Sequence, residues 1–337
     1  MKRSPLVLGI VSIAAATIIF STMEVMLKMP AVHGVFHPMQ ITVERFLIGG
    51  LCLIPFAAAA LRKKGITLET AHLGRFALTG LLCVPLSMVC FQLAVSYGHA
   101  NVVAVLFSAN PIFVTILAFL ILKEAIRWNN VAALLLSILG IVAIINPFSP
   151  ETNVNPTSVA LTIIASLLFS LYSIFGKKLT KTYGGIVVTC GSFLFGGGEL
   201  LLLLLLGHLA PVQTLYHTLG LSIFCNVPFI AGINTATLPY FLYICLVNSA
   251  AGYVFHMMAL EKAGAHMTNL IFFFKPIAAP LFALFALGEA ITANMLVGIA
   301  FFLLGSLSGV IPAMLRARRD ASPTEARPGP DDMPAPK

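Results

Sequence analysis

The feature that most constrains this chain is an apolar run of about twenty residues that recurs ten times within 337 residues. A helix rises about 1.5 Å per residue, so about 20 residues cross the roughly 30 Å of a bilayer's hydrocarbon. The runs lie near 5–29, 38–61, 73–96, 101–122 and 128–146, then near 157–176, 184–206, 236–259, 266–287 and 293–315. Hydrophobic residues make up 59% of the chain and charged residues only 9%, against about 25% charged in an ordinary soluble domain. No water-soluble fold covers that much apolar surface, so the sequence predicts an all-α integral membrane protein with ten transmembrane helices. The first run is too long for a signal-peptide core and has no small-residue cleavage pattern before Lys28, so it is expected to remain as span 1. Residues 217–232 are apolar but short and contain Pro228; they are expected to form an outer-surface or re-entrant segment.

The net charge of +8 does not point to nucleic acid, because the basic residues form short clusters between apolar runs rather than one solvated face. They read as topology signals. With the N-terminus in the cytoplasm, seventeen of the twenty Lys and Arg fall in cytoplasmic segments, the exceptions being Lys28, Arg45 and Lys275. Basic residues resist translocation, so both termini are expected inside. Residues 316–337 turn Pro-, Asp- and Ala-rich and are expected to be a disordered cytoplasmic tail. The six cysteines sit in apolar stretches without a CxxC pair or a His at ligand spacing. They read as small buried hydrophobes, and no metal or other cofactor is expected.

The two sets of five runs are related. Pro111 and Pro276 stand 165 residues apart, and the same offset matches Glu124 with Glu289, Gly140 with Gly305 and Pro147 with Pro312. Phe46, Leu47, Gly49 and Gly50 recur as Phe193, Leu194, Gly196 and Gly197, and Phe91 pairs with Phe255. An odd number of crossings per unit forces the second unit to insert upside down relative to the first. The expected organisation is a first repeat over 1–150 and a second over 151–315. Two similar halves of opposite orientation can exchange conformations around a midplane site, which is the structural basis of alternating access.

Phe20-Ser21 with Lys28 seven residues on, Arg45-Phe46 opening span 2, Pro111 followed by Lys123-Glu124, and Pro276 followed by Gly288-Glu289 together resemble the drug/metabolite transporter superfamily, most closely its EamA-type branch. The resemblance covers about residues 6–314. It implies ten helices in two EamA repeats, a central cavity surrounded by spans 1–4 and 6–9 with spans 5 and 10 at the periphery, and export of amino acids or other metabolites. Span 1 departs from the family pattern, where a Trp-Gly pair and an apolar residue often stand in place of Phe20-Ser21 and Glu24.

Ionisable groups within hydrocarbon are expensive and usually face the bundle interior. Glu24, Glu44, Arg45, Glu199, His256 and Lys275 qualify, with Gln92, Asn110, Asn248 and Asn269 as polar partners. Glu24 and Lys28 are four apart on one helical face, acid first, with Arg45 at similar depth, which suggests either an ion pair or a Glu24 that binds an amine or a proton. Lys275 precedes the repeat proline, where Asn110 holds the equivalent place; the two are expected to meet a substrate's carboxylate and hydrogen-bonding groups. Tyr253 and His256 lie one turn apart on span 8 and are expected, with Gln92 and Glu199, to line the same cavity. Glu124 and Glu289 are expected to cap or brace the helix that follows each, and the glycine pairs to allow close helix packing.

No GxSxG, HExxH or GxxxxGK[ST] pattern is present, so neither an enzyme nor an ATP-driven pump is expected. The sequence points to a secondary transporter of a small organic solute in a bacterial inner membrane, coupled to protons or to a counter-substrate, as a monomer or homodimer. The alternatives are a flippase for a lipid-linked precursor, or a polytopic scaffold or membrane enzyme.

Overall fold

The computed structural model describes residues 5–123, 128–146 and 154–321. Eight helical segments are long and apolar enough to cross a membrane: spans 1 (Val7–Lys28), 2 (Pro38–Lys64), 3 (Thr70–Tyr97), 4 (Ala100–Ile121), 6 (Pro156–Tyr183), 7 (Gly185–Leu206), 8 (Leu238–Lys262) and 9 (Leu270–Leu287). Spans 5 (Trp128–Ile145) and 10 (Ala293–Ala321) are helices whose apolar portions are shorter, Leu135–Ile145 and Ala293–Gly305. All ten coincide with the apolar runs of the sequence. Local chemistry fixes several ends. Pro38 and Pro156 occupy the first turns of spans 2 and 6, where a missing N–H costs nothing. The side chains of His37 and Asn155 accept from the first free N–H groups. Gly65 and Gly288 close spans 2 and 9 in the left-handed region, at φ 65° and 68°.

The packing repeats between the halves. Span 1 lies against spans 8 and 9 as span 6 lies against spans 3 and 4; span 2 meets span 8 as span 7 meets span 3; spans 2 and 7, 4 and 9, and 5 and 10 pair with each other. Each contact thus has a counterpart in the other half, as expected of two units related by a two-fold axis in the membrane plane. Spans 5 and 10 pack mainly on each other, outside the rest. Residues 207–237 do not cross. They form a short helix, Ala210–Thr218, and an irregular segment laid over the start of span 2, where Gln40 Nε2 donates to Ala231 O at 2.9 Å.

Spans 3 and 7 cross backbone to backbone at two glycines. A Cβ added to Gly196 would fall 2.3 Å from Gly80 O, whereas one added to Gly198, two residues on, would meet nothing within 4 Å. Overpacking costs about 1–3 kcal/mol, and removing a helical glycine at an open position gains about 0.4–1 kcal/mol. Gly196→Ala is therefore expected to lower the melting temperature of the detergent-purified protein, and Gly198→Ala to hold or raise it. Equal effects of the two would show that spans 3 and 7 do not cross at Gly196.

Candidate functional site

The centre of the bundle is built from breaks in its helices. Span 1 is two helices, Pro5–Ser21 and Met23–Lys28, separated at Thr22. Its hydroxyls turn back on the helix: Ser12, Thr17 and Ser21 each donate to the carbonyl four residues earlier, and Thr22 Oγ1 to Ile19 O. Such back-bonding competes with the ladder and bends helices. Span 8 repairs the break, since Asn248 Nδ2 donates to Ile19 O at 2.8 Å and to Thr22 Oγ1 at 3.0 Å. Asn248 lies in a π-helical stretch, Tyr243–Ala251, and span 3 has another over Leu82–Met88 around Pro85. The offset that pairs Phe91 with Phe255 superposes these two stretches. Proline supplies no N–H, which accounts for the one in span 3; π-turns inside α-helices gather at functional sites.

Span 4 is broken at Ser108 and Ala109, next to Pro111. Pro111 cannot donate to Phe107 O, and Ser166 of span 6 does so instead, at 3.2 Å. Asn110 Nδ2 donates to Ser166 O at 3.0 Å and to Ser170 Oγ at 2.6 Å. Its side chain therefore stitches span 4 to span 6 and is not among those that line the cavity.

Between these breaks lies a small cavity walled by Phe20, Met23, Met88, Phe91, Phe107, Phe169, Tyr253 and Lys275. Spans 1, 3, 4, 6, 8 and 9, three from each half, contribute its wall. Spans 2 and 7 stand behind Tyr253, whose ring meets Phe46 and Phe193 edge-on at 5.7 and 5.0 Å. His256 and Phe272 continue the aromatic cluster around Phe169, at 5.2 and 6.1 Å. His256 Nε2 lies 3.2 Å from Ser173 Oγ, and Tyr253 OH donates to Met88 Sδ at 2.9 Å.

Three charges sit in this apolar setting. Lys275 Nζ donates to Glu24 Oε1 at 2.5 Å, and the two residues are 2% and 0% exposed. The ammonium also lies 5.0 Å from the Phe107 ring centre and 5.8 Å from that of Phe91. The pair joins span 1 of one half to span 9 of the other. Arg45, on span 2, is fully buried. Its Nη1 donates to Met23 Sδ at 3.1 Å and its guanidinium carbon lies 4.6 Å above the Phe46 ring.

The pairing differs from the one the sequence suggests. Glu24 meets Lys275 rather than Lys28, although Lys28 is on the same short helix, because Lys28 extends to Ser96 O at the end of span 3, 3.3 Å away. Tyr253 and Lys275 line the cavity, and Glu24 reaches it through Lys275. Gln92 is buried beside Phe91 but is not part of the wall, and Glu199 is half-buried on span 7, also away from the wall. Glu289 does not brace the helix that follows it: its two oxygens accept from Ala100 N and Asn101 N at 2.9 Å each and cap the start of span 4. Glu124 lies outside the described residues. Met23, Met88, Phe107 and Phe169 were invisible to sequence reasoning, since an apolar wall residue inside an apolar span carries no contrast. Met23, Met88 and Phe107 had one faint signal, proximity to Glu24, Pro85 and Pro111, and Phe169 had none.

A profile describing an EamA-like transporter family matches residues 7–146 and again residues 156–308. An uncharacterized transporter of Clostridium kluyveri is 32% identical over 303 residues, covering 89% of this chain and 92% of that protein. A probable terminal-alkyne amino-acid exporter of Streptantibioticus cattleyicolor is 26% identical over 247 residues, 72% of this chain and 75% of that one. A protein of known crystal structure shares the fold at 16% identity, with a TM-score of 0.62 over 93% of this chain and 99% of its own.

Removing one member of a buried ion pair strands the other and costs about 3–5 kcal/mol, whereas replacing both by apolar residues is close to neutral. Glu24→Leu and Lys275→Met are each expected to destabilise the purified protein by about that amount, and the double variant to recover most of the loss. Additive losses in equilibrium unfolding would mean that the two side chains do not depend on each other.

Proposed function

We infer that this chain, which belongs to the EamA-like transporter family, is a secondary transporter that exports a small organic metabolite across a bacterial inner membrane by alternating access. The observation that carries this reading is the cavity. It lies at the junction of three spans from each half, the charged groups beside it are buried, and its wall includes Lys275, one member of the ion pair that ties the halves together. A rocking of one half against the other opens such a site to one side and then the other. The substrate class suggested by the resemblance, an amino acid or a related amine or metabolite, is in line with the Streptantibioticus relative, a probable terminal-alkyne amino-acid exporter.

The driving force in this reading is a proton gradient or a counter-substrate, since the sequence carries no nucleotide-binding loop. Both termini face the cytoplasm, as the distribution of Lys and Arg favours. The repeat units are taken as 1–150 and 151–315, with a cytoplasmic tail beyond. In this reading the chain performs no chemistry of its own, in keeping with the transporter family that it matches.

Cells that overproduce the protein are expected to gain resistance to one chemical class within a panel of amino acids, amines and their analogues, and cells lacking it to lose that resistance. Tyr253→Ala, which opens the cavity wall, should reduce the resistance while the protein still reaches the membrane. Sensitisation on overproduction would reverse the direction to uptake. An unchanged response of both strains to every class would contradict export of such solutes.

A further inference from the structure

Charge at the cavity does not balance. Among the described residues the buried acidic and strongly basic side chains of this cluster are Glu24, Lys275 and Arg45, one acid and two bases. Lys275 is already neutralised by Glu24 at 2.5 Å. Arg45 is not: it takes part in none of the ion pairs among the described residues, and its Nε and Nη2 have no hydrogen-bond partner. Glu44, its neighbour in sequence, turns instead to Gln40, 3.3 Å away. The single donated bond of Arg45 goes to the thioether of Met23, a weak acceptor. A buried guanidinium with no ion pair of its own, which shares the field of a Glu24 carboxylate already bonded to Lys275, is costly. Phe46 beneath it offsets part of that cost.

Met23 is also a wall of the cavity. The Arg45 head therefore stands one flexible side chain away from the space, on the side of Met23 and Tyr253, with a planar fork of donors that matches a carboxylate two bonds at a time. The rest of the wall is aromatic rings and thioethers, suited to a compact apolar or aromatic body.

We propose that Arg45 is the specificity-determining residue of the transport site. The thioether of Met23 holds the place of a substrate carboxylate, and the solute carries a net charge of −1 on an apolar or aromatic body: an organic monocarboxylate rather than a zwitterionic amino acid or an amine. A bound monoanion brings the cluster to neutrality; a zwitterion leaves it at +1, and an amine raises it. The proposal rests on the cavity's being the transport site. Within the small organic metabolites given above, it selects monocarboxylates over amino acids and amines.

Three probes with one body and three charges separate these cases: 3-phenylpropionate (−1), phenylalanine (zwitterion) and 2-phenylethylamine (+1). With the full-length protein in detergent, 3-phenylpropionate is expected to raise the melting temperature at roughly thirtyfold lower concentration than either of the others, the ratio expected when a buried charge partner is lost. Arg45→Met keeps the length of the stem without the charge. It should abolish that preference while leaving the ligand-free protein at least as heat-stable as the parent, because a stranded charge has been removed. Met23→Leu, which deletes only the place-holding sulfur, should keep the preference. A preference for phenylalanine or phenylethylamine, an equal response to all three, or no response to the anion would each overturn the proposal, and so would an Arg45→Met protein that still prefers the anion. If Arg45→Met does not fold, the ranking of the three probes on the parent protein decides. Flux of the preferred probe into proteoliposomes is read separately: binding without flux would refute the transport reading and leave the assignment of Arg45 standing.

Discussion

A charge placed in hydrocarbon must be answered by another charge, and the salt bridge between Glu24 and Lys275 is where this molecule meets that demand. The bond crosses from the first half to the second, from a helix broken at Thr22 to a helix with proline at 276. Neither side chain can leave the centre without its partner. The aromatic cluster around them keeps water out and lowers the local dielectric, so the pair is strong and its loss is costly. The same environment makes the third charge, on Arg45, conspicuous.

The second consequence concerns the backbone. In a bilayer every carbonyl and amide has to find a partner within the protein, and the helices of this bundle are irregular where they face its centre. Each irregularity that can be traced is answered from the opposite half: Asn248 of span 8 serves the carbonyl of Ile19, and Ser166 of span 6 serves that of Phe107. Glu289, at the end of span 9, caps the start of span 4. The halves are thus joined by polar bonds at points where the helices are already interrupted, while the glycine crossing of spans 3 and 7 and the outer pair of spans 5 and 10 are close-packed contacts. A bundle divided in this way has its pliable joints around the cavity and its rigid ones away from it, the division that rocking of two repeats requires.

Much of this was legible in the sequence. Ten spans followed from hydropathy and length, because the bilayer leaves a chain so few options, and the inverted relation of the halves followed from counting an odd number of crossings in each. Glu24, Lys275, Tyr253 and Arg45 stood out because polar residues are rare in apolar helices. Their pairing did not. The spacing of Glu24 and Lys28 along one helix is a local signal, whereas the bond to Lys275 spans 251 residues and depends on how two halves dock. Asn110 occupies the place equivalent to Lys275 but serves span 6, since a short amide reaches only the facing carbonyl of Ser166 and hydroxyl of Ser170. The apolar walls were hidden for the opposite reason, that phenylalanine and methionine look alike whether they face lipid, a neighbour or a cavity. Phe272 is buried and Phe274, two residues on, is 54% exposed.

The central claim is that the space beside Lys275 meets water from both faces of the membrane in turn. It is tested most directly by one cysteine at Phe169, on the cavity wall, in a protein whose six native cysteines have been replaced, probed with a membrane-impermeant thiol reagent in right-side-out and inside-out vesicles. The account predicts labelling from each side, with the substrate slowing both reactions. Labelling from one side only, or from neither, would contradict it.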